Sequence, residues 1–367
     1  MPRATAPDDL RAATTAYERW LGTQCQLVRA DVTYKHERMA SSPLGLLRGS
    51  YYRWAQLWPA LCPDVASAPE VLAVADLHTE NFGTWRDVEG RLIWGVNDFD
   101  EAYPLAYTND LVRLAASVRL EIVAGLIRVP ARAACAALLA GYSSAIESGG
   151  RPFVLDHRHP TLRAEAAAGQ RDPERFWGEL DALPVLRNPP RAAVQLLRHA
   201  LPAGAAARLS RRRAGVGSLG HPRIVAVADA GGGRTAREAK ALVPAAAGWA
   251  AGTGQARVLY AEIEARAVRC RDPFLETRGR WVVRRLAPDC NRLNTTSSRR
   301  PADQRELLHA MGAETANIHL GSSRAAIAAV RRDVGRRSAV WLHDAATTMA
   351  AATLADFREW VRRPSRA

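Results

Sequence analysis

Between Asp76 and Asp100 the chain places two polar clusters at the two ends of one short hairpin. The apolar run VLAVA leads into Asp76-Leu77-His78-Thr79-Glu80-Asn81. FGTW, the turn RDVEG and RLIWGV follow, and then Asn97-Asp98-Phe99-Asp100. Two apolar runs around a glycine-containing turn predict a β-hairpin. A hairpin returns the chain to its starting edge, so Asn81 and Asp98 are brought together. A carboxamide and a carboxylate meeting there supply hard oxygen ligands for a divalent cation. Asp76, at the loop start, is placed to accept a proton or orient an attacking hydroxyl. The competing reading of Asp76 and Asn81 is an Asx-type loop that satisfies its own backbone. Beyond the hairpin, Pro104 forbids helix continuity. Asp110 precedes LVRLAASVRLEIVAGL as a candidate N-cap, from which it could also accept backbone N–H bonds from the loop and brace it. One of Asp100 and Glu101 is expected to brace the loop or touch substrate, and His78 to pack within it.

Charge sharpens this reading. The chain of 367 residues carries 51 basic and 37 acidic side chains, a formal net charge of +14. Yet the stretch from Asp64 to Asp110 holds ten carboxylates against Arg86 and Arg91. An acidic island in a basic chain fits a metal-assisted phosphate site, and a solvated acidic surface is the alternative. All but two of the basic residues are arginine, the exceptions being Lys35 and Lys240. Alanine and arginine richness accounts for the basicity as codon bias, and no nucleic-acid motif accompanies it. Five scattered cysteines without a CxxC argue against a disulfide framework or zinc site. No run of ~18 apolar residues is present, so no membrane partner is expected. The N-terminal stretch has no apolar signal core, and a cytoplasmic protein is expected.

Helices are expected over 8–30 and 44–62, joined by the polar stretch YKHERMASSP, then from 111, over 131–147, and broken by prolines through 150–205. At 211 the pattern changes. RRRAGVGSLG reads as a glycine-rich turn carrying solvated arginines, and RIVAVAD (223–229) as a strand. TAREAKALV reads as the returning strand, against its helical propensity. A helix over 254–269 and the strands PFLETRG and RWVVRRL follow, and helices resume at 301. The expected fold is α+β, with two lobes and a cleft between them: residues 1–205 a helical lobe bearing the hairpin, 206–290 a small β-rich lobe, and 291–367 helices completing the first.

D-L-x-x-x-N followed by D-F-x resembles the phosphotransferase pattern of the protein-kinase superfamily. The segment VLAVADLHTENFG…NDFDEAYPLAYTNDLVRLAAS resembles the core of an uncharacterised bacterial domain-of-unknown-function family with the signature GDxHxxNFG…NDFDE…DLxRLAxS. That family is distantly similar to aminoglycoside phosphotransferases and protein kinases. KHERMASSPLGLLRGSYYRW and GVGSLG also resemble its segments, so the likeness covers most of the chain. It implies Asp76 as the catalytic aspartate, Asn81 and Asp98 as ligands of Mg²⁺, and ATP as the nucleotide. Ala75 departs from it, standing where kinase-like families have Gly or Arg. No His precedes Asp76, and the interval from Asn81 to Asp98 is longer than usual.

Kinase-like chains carry their glycine loop and lysine before the catalytic loop. Here Gly215, Gly217, Ser218 and Gly220, then Lys240, then a helix with Glu262 and Glu264, then two strands all follow it. Glycine-rich backbone can approach phosphates, Lys240 would neutralise them, and Glu262 or Glu264 would hold the lysine. This order implies a circularly permuted kinase-like fold with a hinge near residues 286–294. Lys35 competes with Lys240, and the roles of Lys35, Arg48 and Gly49 do not follow from sequence. The expected activity is Mg-ATP-dependent transfer of a phosphoryl group to a hydroxyl or amine of a small molecule or protein. The alternatives are a catalytically weak nucleotide-binding pseudo-kinase and, behind it, a basic nucleic-acid-binding protein.

Overall fold

The computed structural model describes residues 9–253, 257–292 and 300–362. The last two residues of the expected hinge and the first three of the helix expected over 254–269 lie outside these. The fold is a mixed α+β arrangement. It opens with helices α1 (Leu10–Gln24), α2 (Arg29–Ser41), α3 (Pro43–Gly49), α4 (Tyr51–Leu61) and the short α5 (Pro63–Ala66). The polar stretch expected to be a linker is instead the second half of α2. It contains strong helix formers and no Gly or Pro before Pro43, and it turns Lys35 and Met39 inward.

Strand β1 (Glu70–Ala73) leads to the acidic loop, followed by the hairpin β2 (Phe82–Arg86) and β3 (Leu92–Val96), then β4 (Tyr103–Ala106), which pairs antiparallel with β1. Helices α6 (Tyr107–Val123) and α7 (Ala131–Ser148) carry the core onward, and β5 (Phe153–Val154) adds to the β3 edge. Asp110 is not an N-cap. α6 begins at Tyr107, which leaves the Asp110 carboxylate inside the first turn and free to turn toward the loop.

Helices α8 (Pro160–Ala168), α9 (Pro173–Asp181) and α10 (Arg191–Ala200) use three of the prolines of this region, Pro160, Pro173 and Pro190, at their starts, where no intrahelical N–H is needed. Next come β6 (Ala207–Arg211), β7 (Arg223–Ala230) and β8 (Gly233–Ala241), helices α11 (Ala246–Ala250) and α12 (Tyr260–Arg266), and strands β9 (Glu276–Arg278) and β10 (Trp281–Leu286). These form one antiparallel five-stranded sheet in the order β6-β7-β8-β10-β9. TAREAKALV is therefore strand, because pairing on both edges by β7 and β10 overrides its propensity. Alternation along β7 serves both faces. Ile224, Ala226 and Ala228 pack with Leu196 and Leu197 of α10, whereas Val225 and Val227 pack with Phe176 and Leu180 of α9. The sheet thus recruits two helices from before residue 205, where the lobe boundary was expected.

Helices α13 (Pro301–His319), α14 (Arg324–Val334) and α15 (Trp341–Arg362) close the large apolar core built with α1–α7. α13 and α7 cross in backbone contact. A Cβ at Gly141 would lie 1.9 Å from the His309 carbonyl oxygen, and one at Gly312 equally close to that of Leu138. The sheet is tied to the hairpin directly, since Thr84 N donates to Asn291 O (2.8 Å) just after β10.

Candidate functional site

The acidic loop is shaped from beneath by Asp110. Its carboxylate accepts the backbone N–H groups of Val74 (2.7 Å) and Ala75 (2.8 Å), and it meets His319 Nε2 at 3.0 Å. Asn109 Nδ2 donates to Ala75 O (3.1 Å). These buried bonds hold Ala75 at a φ of +71°, a left-handed conformation that glycine adopts freely and alanine does not. The turn delivers Asp76 to the cleft. Arg113, fully buried on α6, donates from Nε and Nη2 to Asp76 Oδ1 (2.8 Å from Nε) and from Nη2 to Leu47 O (2.8 Å). Its guanidinium also lies over the rings of Tyr51 and Trp54. Burial pushes Asp76 up to about 6, with Arg113 opposing the rise.

Asn81 is partly engaged in the local loop. His78 N donates to its Oδ1 (2.8 Å), and Glu80 N donates to His78 Nδ1 (3.2 Å). Asn97 N donates to Asn81 O (3.0 Å), which zips the open end of the hairpin and brings Asn81 beside the segment carrying Asp98. Asp98 Oδ1 meets Lys240 Nζ at 3.0 Å, and Asp100 Oδ2 meets the same nitrogen at 2.6 Å. Burial opposes ionisation of Asp98, but Lys240 and Arg284 overcome it and hold the carboxyl below the usual range. Burial and the adjacent Asp98 push Asp100 up to about 7. Asp100 Oδ1 is buried without a hydrogen-bond partner among the described residues.

The glycine-rich segment 215–220 lies over this loop. Gly215 and Gly220 take φ values of +73° and +100°. Gly217 approaches so closely that a Cβ would sit 3.3 Å from both Asp76 Oδ2 and Arg48 O. Lys35 Nζ donates to Gly217 O (3.3 Å), while Arg223 ties the Ser218 hydroxyl to the sheet (2.8 Å). Arg48 pairs with Glu80 (2.7 Å), and Arg292 stands 3.6 Å from the same carboxylate. Gly49 also lines the cleft. A second cavity of about 460 Å³ adjoins it, sharing Asn97, Gly215, Arg284 and Arg292, with Phe99, Tyr260, Leu275 and Leu286 among its walls.

The structure therefore gathers Asp76, Asn81, Asp98, Asp100, Gly215, Gly217 and Ser218 around one cleft, with Lys240 bonded to two of its carboxylates. Glu262 is not among them. It pairs with Arg257 (2.6 Å) and Arg266 (2.8 Å), and Glu264 faces Arg271, so neither helix carboxylate holds Lys240. Asp98 and Asp100 take that place. The arginines of the glycine-rich turn are not simply solvated either. Arg211 and Arg213 pair with Asp31, and Arg212 joins Arg223 and Arg284 around the fully buried Glu238. Sequence reasoning did not assign Arg113, Arg284, Arg292 or Tyr51, and it left Lys35 and Arg48 without roles. Arg113 stands in the quoted DLxRLA motif, and Lys35 is one of only two lysines; the others carry no signal local enough to read.

As a test of the expected cation, no group of three or more His, Cys, Asp or Glu side chains is arranged to hold a metal among the described residues. Asn81 and Asp98, with Asp100 Oδ1 in the same cleft, are instead the few hard-oxygen donors that suit Mg²⁺ when phosphate and water complete its shell.

Residues 27–175 match the model of a family described as an uncharacterized protein conserved in bacteria (DUF2252). The match spans both the Lys35 segment and the acidic hairpin and ends before the five-stranded sheet. No curated protein and no solved structure matches the chain. Among the described residues no helix is long and apolar enough to cross a membrane.

Proposed function

We propose that the chain is a Mg-ATP-dependent phosphotransferase of kinase-like, circularly permuted architecture. The observation that carries this reading is the contact of Lys240 with Asp98 and Asp100, which sets a strand of the late β-rich block against the early acidic hairpin. The sheet order β6-β7-β8-β10-β9 adds support, with the glycine loop between its first two strands, the lysine on its third and helix α12 before its fourth. That is the element series of a kinase small lobe, here following the catalytic loop in sequence. The 460 Å³ cavity beside the segment after β10 would take the nucleoside, and Gly215, Arg284 and Arg292, shared with the cleft, would pass the phosphates toward Asp98.

In this reading Asp76 Oδ1 is fixed by Arg113, and Oδ2 is left facing the glycine loop. As the acceptor oxygen bonds to the γ-phosphorus, the bond from that phosphorus to the β–γ bridging oxygen breaks and the diphosphate leaves. The hydroxyl proton passes to Asp76 Oδ2. Asn81 and Asp98 would hold Mg²⁺, which when bound neutralises charge on the phosphate oxygens. Lys240 would exchange part of its contact with the carboxylates for phosphate. A nucleoside triphosphate as substrate accords with a cytoplasmic protein.

Calorimetric titration with Mg-ATP and Mg-GTP, joined to an assay of nucleoside diphosphate release, tests the proposal. Binding is expected in the wild type, lost in Asp98→Ala, and retained without turnover in Asp76→Ala. Absence of heat with either nucleotide overturns it. The second reading, a nucleotide-binding pseudo-kinase, is favoured by the engagement of Lys240 with both carboxylates. It would show binding with diphosphate release no greater than that of Asp76→Ala.

A further inference from the structure

Away from the glycine loop, the cleft ends in a chamber whose polar groups lack partners. Lys35 on α2 is 4% exposed, and among the described residues no carboxylate approaches its ammonium within ion-pairing distance. Its contacts are the Gly217 carbonyl (3.3 Å) and the faces of Tyr17 and Tyr52, 5.9 and 5.7 Å from the ring centres. Tyr51 Oη and His221 Nδ1 line the same cleft on residues more than nine-tenths buried, and neither has a hydrogen-bond partner among the described residues. Buried polar atoms are almost always satisfied, so three groups in one cavity, two orphaned and one a cation without a counter-charge, mark a place built for a ligand.

The charge of that ligand follows from the surroundings. Burial pushes the Lys35 pKa down, a cost that an anion would relieve. Glu101, which lines the same cleft, is engaged elsewhere: its Oε2 accepts the Ala246 N–H (2.6 Å), and it forms no ion pair with Lys35 among the described residues. Asp76 is already taken by Arg113. The cleft is narrow, with about 50 Å³ of space, which favours a small molecule at this end.

We propose that Lys35, Tyr51 and His221 form an acceptor subsite for a small hydroxylated anion. Its carboxylate or phosphate pairs with the Lys35 ammonium, and its hydroxyl is presented to Asp76. This rests on the phosphotransferase reading for the direction of transfer, but the anion pocket itself does not.

Calorimetry on the full chain without nucleotide tests it, using glycerate, lactate, glycerol 3-phosphate and inorganic phosphate, with glycerol and ethanolamine as neutral and cationic counterparts. At least one anion is expected to bind, and glycerol and ethanolamine to give no heat. Glycerate against glycerol 3-phosphate tells which anionic group the pocket takes. Lys35→Met is expected to weaken anion binding at least tenfold. Tyr51→Phe removes one hydroxyl with little risk to folding and is expected to weaken it several-fold. The proposal is overturned if no anion binds, if glycerol or ethanolamine binds as tightly, or if both variants bind the anion like the wild type. Anion binding that depends on Lys35, in a protein giving no heat with Mg-ATP, would sink the phosphotransferase reading and leave the pocket standing.

Discussion

Lys240 and Asp98, 142 positions apart in the chain, meet at 3.0 Å. Lys240 stands on β8, where cross-strand pairing with Arg223 and Val282 fixes its direction. Asp98 follows β3 and ends the hairpin that Asn81 begins. The ammonium also meets Asp100, so a single buried cation offsets two neighbouring carboxylates.

Lys240→Met leaves those carboxylates without their cation. Burial already drives Asp100 toward protonation, and loss of the lysine forces Asp98 in the same direction. A loss of about 3 kcal/mol in urea unfolding is expected, together with loss of Mg-ATP binding. A Lys240→Met, Asp98→Asn double variant should regain part of the stability but none of the binding. If Lys240→Met alone unfolds like the wild type, the pairing contributes little.

Gly217→Ala addresses the close approach over Asp76. Its backbone φ is not in the left-handed region, so the substitution strains no dihedral. Its methyl group would sit 3.3 Å from Asp76 Oδ2 and Arg48 O, filling the space an acceptor oxygen needs. Turnover is expected to fall more than tenfold, with thermal unfolding displaced by only a few degrees. Unchanged turnover would place the reacting atoms elsewhere.

Ala75→Gly tests the backbone turn. Alanine at φ +71° costs about 1–2 kcal/mol, and glycine gives back about 0.5–1 kcal/mol of this through the entropy of the unfolded chain. The variant is expected to be as stable as the wild type or up to about 1 kcal/mol more stable in denaturant titration, with activity retained. Marked destabilisation would show that the methyl group is needed for packing.

The pH dependence has two parts of defined sign. Asp76 must be ionised to accept a proton and is held at about 6, so kcat/KM for the nucleotide should rise with pH through about 6 and then level. Stability runs the other way for Glu101. Its folded pKa of about 8 lies above the ordinary carboxylate value, so the folded state binds the extra proton. That contribution is complete below about pH 4 and is lost as pH rises through about 8. In Glu101→Gln, which keeps an oxygen for the Ala246 N–H (2.6 Å in the wild type), the fall in urea midpoint between pH 6 and pH 9 should shrink. An unchanged fall would assign that pH dependence to other groups.

Local chemistry determined much of this protein in advance. The hairpin with Asn81 and Asp98 at its open end, the strand at Arg223–Ala230, its partner carrying Lys240, and the glycine turn between strands are all set by side-chain period and turn residues close in sequence. Tertiary structure decided what local pattern cannot encode. Asp110, within the first turn of α6, turns its carboxylate to the buried N–H groups of Val74 and Ala75, which have no other partner among the described residues. Lys240 chose Asp98 and Asp100 over Glu262, whose side chain faces Arg257 and Arg266 on the outer side of α12. Arg113 and Lys35 reached the cleft from helices whose polar residues look alike in sequence. Which of them is buried depends on how the helices pack, and only a buried charge is compelled to find a partner.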